Sequence, residues 1–221
     1  MLPGDGGVNN RRKMITTKLI ERLSKMNVDP EFIIFTGPMF GSKTSRLLAV
    51  VDRYHYQKKN VLAFKPLMDE RYSRLEICTH SGARLAATGV KCGDDILSEI
   101  TEHPTCDVIV VDEAFMIDGC ATALLKLFKD GKSVVVSSLQ LSASGKVFEE
   151  IRDMMPWATR IEVCPAVCPV TGRDAFYTHR KIEGLNEIAV GGSEMYEPRC
   201  WEFHNLVNCK NGEYDGGARE H

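Results

Sequence analysis

The sequence predicts an α/β fold, a parallel sheet flanked by helices, followed by a small C-terminal lobe organised by metal. Three observations carry this. Short unbroken apolar runs alternate with helical patterns, as strands covered on both faces require. A glycine-containing loop, GPMFGSKT (37–44), joins the first of those runs to a helix. Past about Thr159 the long apolar runs stop and cysteines crowd together.

The elements follow in order. Residues 1–31 are an N-terminal extension. Its first 14 residues are polar and read as a loosely held end, and Ile15, Leu19, Leu23 and Met26 then recur at near-helical spacing, predicting a short amphipathic helix. The sheet-bearing core is assigned to 32–160. FIIF (32–35) is its first strand, and SRLLAVVDRYHYQ (45–57) a helix with Leu47, Leu48 and Val51 on one face. NVLAFK (60–65), DVIVVDE (107–113) and SVVVSS (133–138) are further buried strands, with a helix through ATALLKLFK (121–129) before the last. Residues 161–204 form the small lobe and 205–221 a polar tail.

Composition sets the class. A chain of 221 residues, 43% hydrophobic and 26% charged, buries an ordinary globular core. A net charge of −2 gives no reason to expect a nucleic-acid surface. No apolar run reaches the roughly 18–20 residues of a membrane span. MLPGDGGVNNRRKM lacks the apolar segment of a secretory signal, so the expected compartment is the cytoplasm. Cys78, Cys92, Cys106 and Cys120 read as single core or surface thiols. Cys164, Cys168, Cys200 and Cys209 cluster in the last quarter, which points to metal before disulfide.

GPMFGSKT has the context of a phosphate-binding loop, after a strand and before a helix. The backbone of Gly37, Pro38, Met39, Phe40, Gly41 and Ser42 would wrap the phosphates at the positive end of the helix. Lys43 would reach the β and γ phosphates of ATP, and the Thr44 hydroxyl would bind magnesium. The usual loop ends S-G-K-T, so Ser42 stands where glycine is expected. Glycine serves there because the backbone needs positive φ, which costs another residue about 1 kcal/mol or somewhat more. Either Ser42 is itself left-handed, or the loop shifts and Gly41 takes the special conformation. The neighbouring glycine favours the shifted loop. The plain alternative for the octapeptide is a glycine turn before an ordinary helix.

VIVVDEAF supplies the second half of a site. A buried strand ending in Asp112 and Glu113 puts two carboxylates at the carboxyl edge of the sheet, where open α/β sheets bind ligands. Asp112 can hold magnesium, and Glu113 can take a proton from an attacking hydroxyl. With Lys43 and Thr44 these make a nucleoside-triphosphate site, and the fold class narrows to the P-loop (RecA-like) type.

Six segments in one order extend the pattern: GPMFGSKTSRLL, KPLMDERY (65–72), THSG (79–82), VDEAF (111–115), GRDAFYTHR (172–180) and VGGSEMYEPRC (190–200). From Phe32 to about His204 the chain resembles the zinc-containing (type II) thymidine kinases, which pair a P-loop core with a small zinc-ribbon-like lobe. The resemblance implies ATP as phosphoryl donor, magnesium, a structural zinc, and assembly as a homodimer or homotetramer without nucleic acid or membrane. Asp69 and Arg71 would sit near magnesium and the phosphates, with Arg71 joining Lys43 and Glu113 in catalysis. Glu113 would deprotonate the nucleoside 5′-hydroxyl. A loop from about Thr178 to Tyr196 would grip the nucleoside, with Thr178 near the base, Tyr196 over the sugar, and Gly191 and Phe115 also against the substrate.

The chain departs from that family in four places. Ser42 is the first, and Phe115, where the family has glutamine, the second. The third is Ala143, where the family carries an aromatic residue on the pyrimidine, a stacking contact of about 1–3 kcal/mol. Its loss means either that thymidine is held differently or that a bulkier 5-substituent is accepted. The fourth concerns zinc, because the expected second members of the two ligand pairs are Thr171 and Phe203. Cys164, four before Cys168, and His204, four after Cys200, restore a set of three thiolates and one imidazole that suits tetrahedral zinc. The alternative is a lobe that has lost zinc and is held by packing.

The expected reaction is phosphorylation of thymidine, or a related pyrimidine deoxynucleoside, at the 5′-hydroxyl. The alternative is a catalytically degenerate nucleotide-binding protein acting as a sensor or interaction module. The intact set of Lys43, Thr44, Asp69, Arg71, Asp112 and Glu113 weighs against it. A helicase- or recombination-type ATPase with a similar core lacks support, since the sequence shows no basic or aromatic strand-binding stretch.

Overall fold

The computed structural model describes residues 29–69, 75–79, 81–182, 188 and 190–204. The expected N-terminal helix, the tail and Arg71 lie outside the described residues. The described residues from Glu31 onward belong to one compact unit.

Its centre is a six-stranded sheet in the order β5-β2-β6-β7-β1-β8, every neighbouring pair parallel. The strands are β1 (Phe32–Thr36), β2 (Val61–Pro66), β5 (Thr88–Val90), β6 (Val108–Val111), β7 (Ser133–Ser138) and β8 (Arg160–Val163). β1, β2, β6 and β7 are the four apolar runs. β8 carries the sheet through Val163, where its backbone pairs with β1.

Alternation along the strands explains the layers. Side chains point to opposite faces in turn, so Phe32 and Ile34 enter one core and Ile33 and Phe35 the other. Val134 and Val136 likewise separate from Val135. Both faces are therefore apolar and both are covered. Helix α1 (Lys43–Tyr56) covers one with Leu47, Leu48, Val51 and Tyr54. Helices α2 (Gly93–Glu102), α3 (Cys120–Lys129) and α4 (Glu149–Met154) cover the other. α2 went unpredicted, although Ile96 and Ile100 lie one turn apart and the Asp95 carboxylate accepts the Lys91 and Cys92 N–H groups at 2.7 and 3.3 Å.

The remaining strands are short antiparallel pairs: β3 (Glu76–Cys78) with β4 (Arg84–Ala86), β9 (Ala166–Val167) with β10 (Asp174–Ala175), and β11 (Tyr177–Arg180) with β12 (Tyr196–Arg199). A third apolar cluster, Ala166, Cys168, Ala175 and Cys200, lies among the last two pairs, with Phe40 of the phosphate loop packed against it. The parallel sheet brings the carboxyl ends of β1, β2 and β6 to one edge. The loop 37–42, Asp69 and Asp112 follow those ends.

Candidate active site

The loop between β1 and α1 is held in an uncommon backbone shape. Gly37 has φ 138°, Phe40 φ 65° and Ser42 φ 57°, so Ser42 takes the left-handed conformation itself. Gly41 does not, and the expectation of a shifted loop is corrected. The reason lies in the adjacent segment after β8. Cys164 follows β8, and its N–H donates to the Thr36 carbonyl at 2.7 Å. This presses the Cys164 carbonyl against the loop, where a Cβ on Gly37 or Gly41 would meet that oxygen at 2.3 or 2.4 Å. Gly41 is needed for close approach, and the left-handed turn falls to Ser42, whose carbonyl then accepts the Arg46 N–H at 3.1 Å. Such a residue stores about 1–2 kcal/mol of strain.

Lys43 and Thr44 open α1 and face the sheet edge. The buried Lys43 Nζ donates to the Pro38 carbonyl at 2.7 Å, and the Thr44 hydroxyl lies 3.3 and 3.4 Å from the two Asp112 oxygens. Asp112 also accepts from the Ser137 hydroxyl of β7. Burial first, then the Glu113 charge, raises the Asp112 carboxyl to about 6, against the Ser137 hydrogen bond and the Lys43 charge. Asp69, buried just past β2, adds to the upward push. Lys43, Thr44, Asp69 and Asp112 line a cleft of about 720 Å³ with Lys65, Thr79 and Ser81.

A second, smaller pocket adjoins it. Its walls are mostly apolar: Phe115, Met116, Leu139, Ala143, Phe148 and Tyr196. The rings of Phe115 and Phe148 pack at 4.5 Å between centroids, and the Phe115 N–H donates to the Ser138 hydroxyl at 3.1 Å. Thr178 and Gly191 also line this pocket. The buried Thr178 hydroxyl accepts the Met39 N–H at 3.0 Å, and the Arg180 guanidinium stands 5.6 Å over the Tyr196 ring. Glu113, left-handed at φ 52° where β6 ends, lines both cavities, as do Met39, Val190 and Gly191.

A thymidine kinase family model matches residues 31–204. The chain belongs to that family. It is therefore a nucleoside kinase, and its two cavities meet at Glu113. Among the described residues no helix is long and apolar enough to cross a membrane.

The four residues expected to hold zinc in this kinase are not brought together. The Cys164 side chain lies in the core beneath α1, with its Sγ 3.6 Å from the Glu162 carbonyl. Cys168 and Cys200 lie in the separate C-terminal cluster. His204 Nε2 is 2.9 Å from the Thr178 carbonyl, so that nitrogen carries the proton and donates. Among the described residues no group of three metal-ligating side chains is assembled. The quartet is acceptable in spacing, but Cys164 packs in the core under α1 and Cys168 and Cys200 in the hairpin cluster.

Three residues of the site carried no role in the sequence reading. Lys65 is buried on the cleft wall, Phe148 completes the aromatic pair, and Ser137 bonds Asp112. A lysine inside the apolar run NVLAFK was the available signal for Lys65. Nothing local marked the other two.

Proposed function

We propose that this kinase transfers the γ-phosphoryl group of ATP to the 5′-hydroxyl of thymidine or a closely related pyrimidine deoxynucleoside. The observation that carries the reading is the position of Glu113, on the wall shared by a polar cleft and an apolar pocket. A base that must touch the acceptor hydroxyl while facing the donor phosphate belongs at such a junction.

ATP is assigned to the cleft. The loop amides and the start of α1 favour its phosphates, and Lys43 neutralises charge that spreads over the transferred group. Arg71, two residues past Asp69, is proposed to join it. The nucleoside is assigned to the apolar pocket, its base against Phe115 and Phe148, with Tyr196 toward the sugar and Thr178 and Gly191 closing the wall. The Glu113 carboxylate accepts the 5′-hydroxyl proton as that oxygen bonds to the γ phosphorus. The bond from the γ phosphorus to the bridging oxygen breaks, and ADP leaves with the electron pair. Much of the rate comes from holding the two reactants in line.

The oxygen donors of Thr44, Asp112 and Asp69 suit magnesium, which binds through one or two carboxylates together with substrate phosphates. When bound, the ion would neutralise the triphosphate and orient it. The resemblance further implies a dimer or tetramer working in the cytoplasm.

The test is single-turnover phosphoryl transfer from ATP with magnesium to thymidine, deoxyuridine and 5-substituted deoxyuridines. Formation of a 5′-monophosphate from at least one is expected. ATP binding with transfer to none contradicts the proposal.

A further inference from the structure

We propose that the C-terminal hairpins of this kinase hold their shape without zinc, and that Thr171 and Phe203 occupy the positions of the two absent ligands. Cys168 and Cys200 each open a tight turn. The Cys168 carbonyl accepts the Gly172 N–H at 2.9 Å, and the Cys200 carbonyl accepts the Phe203 N–H at 3.1 Å. A closed tetrahedral site takes a second donor from each such turn, two to four residues on. Three residues on stand Thr171 and Phe203.

The Thr171 side chain does reach across to the other turn, its Oγ1 lying 3.6 Å from Cys200 Sγ. A neutral hydroxyl, however, is not one of the thiolate, imidazole and carboxylate donors that structural zinc uses. Phe203 has no donor atom and is 40% exposed. The Arg173 guanidinium lies 3.8 Å from the same Cys200 sulfur and also pairs with Glu202. That contact gives the Cys200 sulfur a protein partner where no second ligand completes a metal site.

The substitute donors are engaged elsewhere. Cys164 is packed under α1, and His204 Nε2 donates to Thr178; Cys209 lies outside the described residues. What fills the centre is apolar: Ala166 and Ala175 from the β9–β10 pair, with Phe40 arriving from the phosphate loop. Burial of these groups and the Thr171–Cys200–Arg173 contacts replace coordination.

The full-length protein, purified without a metal-binding tag, is assayed for zinc by elemental mass spectrometry, and its thermal midpoint is measured with and without EDTA. Less than about 0.1 equivalent of zinc and an unchanged midpoint are expected. The double variant Thr171→Cys/Phe203→Cys completes two C-x-x-C turns and should take up about one equivalent. Half an equivalent or more in the natural protein, or a midpoint that falls with EDTA, overturns the proposal and would implicate donors such as Cys209. A double variant that folds yet takes no zinc overturns the assignment of Thr171 and Phe203. Should the double variant not fold, the zinc content and EDTA response of the natural protein still decide the main claim.

Discussion

The Met39 N–H donates to the Thr178 hydroxyl at 3.0 Å, tying the middle of the phosphate loop to a strand 139 residues further on. The Thr178 carbonyl in turn accepts from His204 at 2.9 Å. One residue of β11 thus braces the loop before α1 while lining the smaller pocket, proposed above to hold the nucleoside. Thr178→Val keeps the shape but leaves the Met39 N–H without its acceptor, at a cost of about 1–3 kcal/mol. kcat/KM for ATP should fall about tenfold or more, whereas Thr178→Ser should stay near the natural enzyme. A valine variant with unchanged kinetics would refute the brace.

Ser42→Gly relieves a left-handed backbone at the start of α1. The gain of about 1–2 kcal/mol is partly offset by the extra freedom glycine has in the unfolded chain, about 0.4–1 kcal/mol. A rise in Tm of about 1–4 °C is expected for a chain of this size. Gly41→Ala should do the reverse, because its methyl group would sit 2.4 Å from the Cys164 carbonyl oxygen. Calorimetry of both variants checks the pair, and a stable Gly41→Ala protein would contradict the packing described.

Asp112 gives the pH dependence a sign. Its carboxyl rises from 3.8 to about 6 on folding, so the folded state holds the proton more tightly than the unfolded one. The stability it contributes to the metal-free protein is fully present below the lower value and is lost as pH rises through about 6. Denaturant unfolding in EDTA should show that decline, and Asp112→Asn should flatten it. Magnesium requires the ionised carboxylate, so magnesium affinity should weaken about tenfold per unit below about pH 6. A magnesium requirement independent of pH from 5 to 7 would remove Asp112 from the metal site.

Phe148 tests the proposed base pocket. Phe148→Ala removes one ring of the 4.5 Å pair with Phe115 and a face for the base. KM for the nucleoside should rise about 5- to 100-fold, the equivalent of about 1–3 kcal/mol of stacking, with KM for ATP little changed. Equal losses toward both substrates would argue for general damage instead.

The parts legible in the sequence were those fixed by local pattern. FIIF, NVLAFK, VIVV and SVVVSS are strands because unbroken apolar runs can only be buried on two faces, and the loop before Lys43 and the carboxylates after β6 follow from that frame. What stayed hidden depends on contacts between distant segments. Ser42 is left-handed while Gly41 serves the close approach of the Cys164 carbonyl, which a Cβ there would meet at 2.4 Å. Spacing cannot reveal that Cys164, just past β8, packs in the core under α1 while Cys168, just past β9, packs among the hairpins. Phe148 lies beyond a stretch with no helical or strand period, so only the fold brings it to Phe115.

The central claim is that Glu113 removes the proton of the nucleoside hydroxyl at the junction of the two cavities. Rapid-quench single-turnover transfer by Glu113→Gln, with ATP and nucleoside both saturating, tests it most directly. The transfer rate should fall by about 10² or more while the Kd for ATP stays unchanged. A rate within about twofold of the natural enzyme would contradict the assignment of Glu113 as the base.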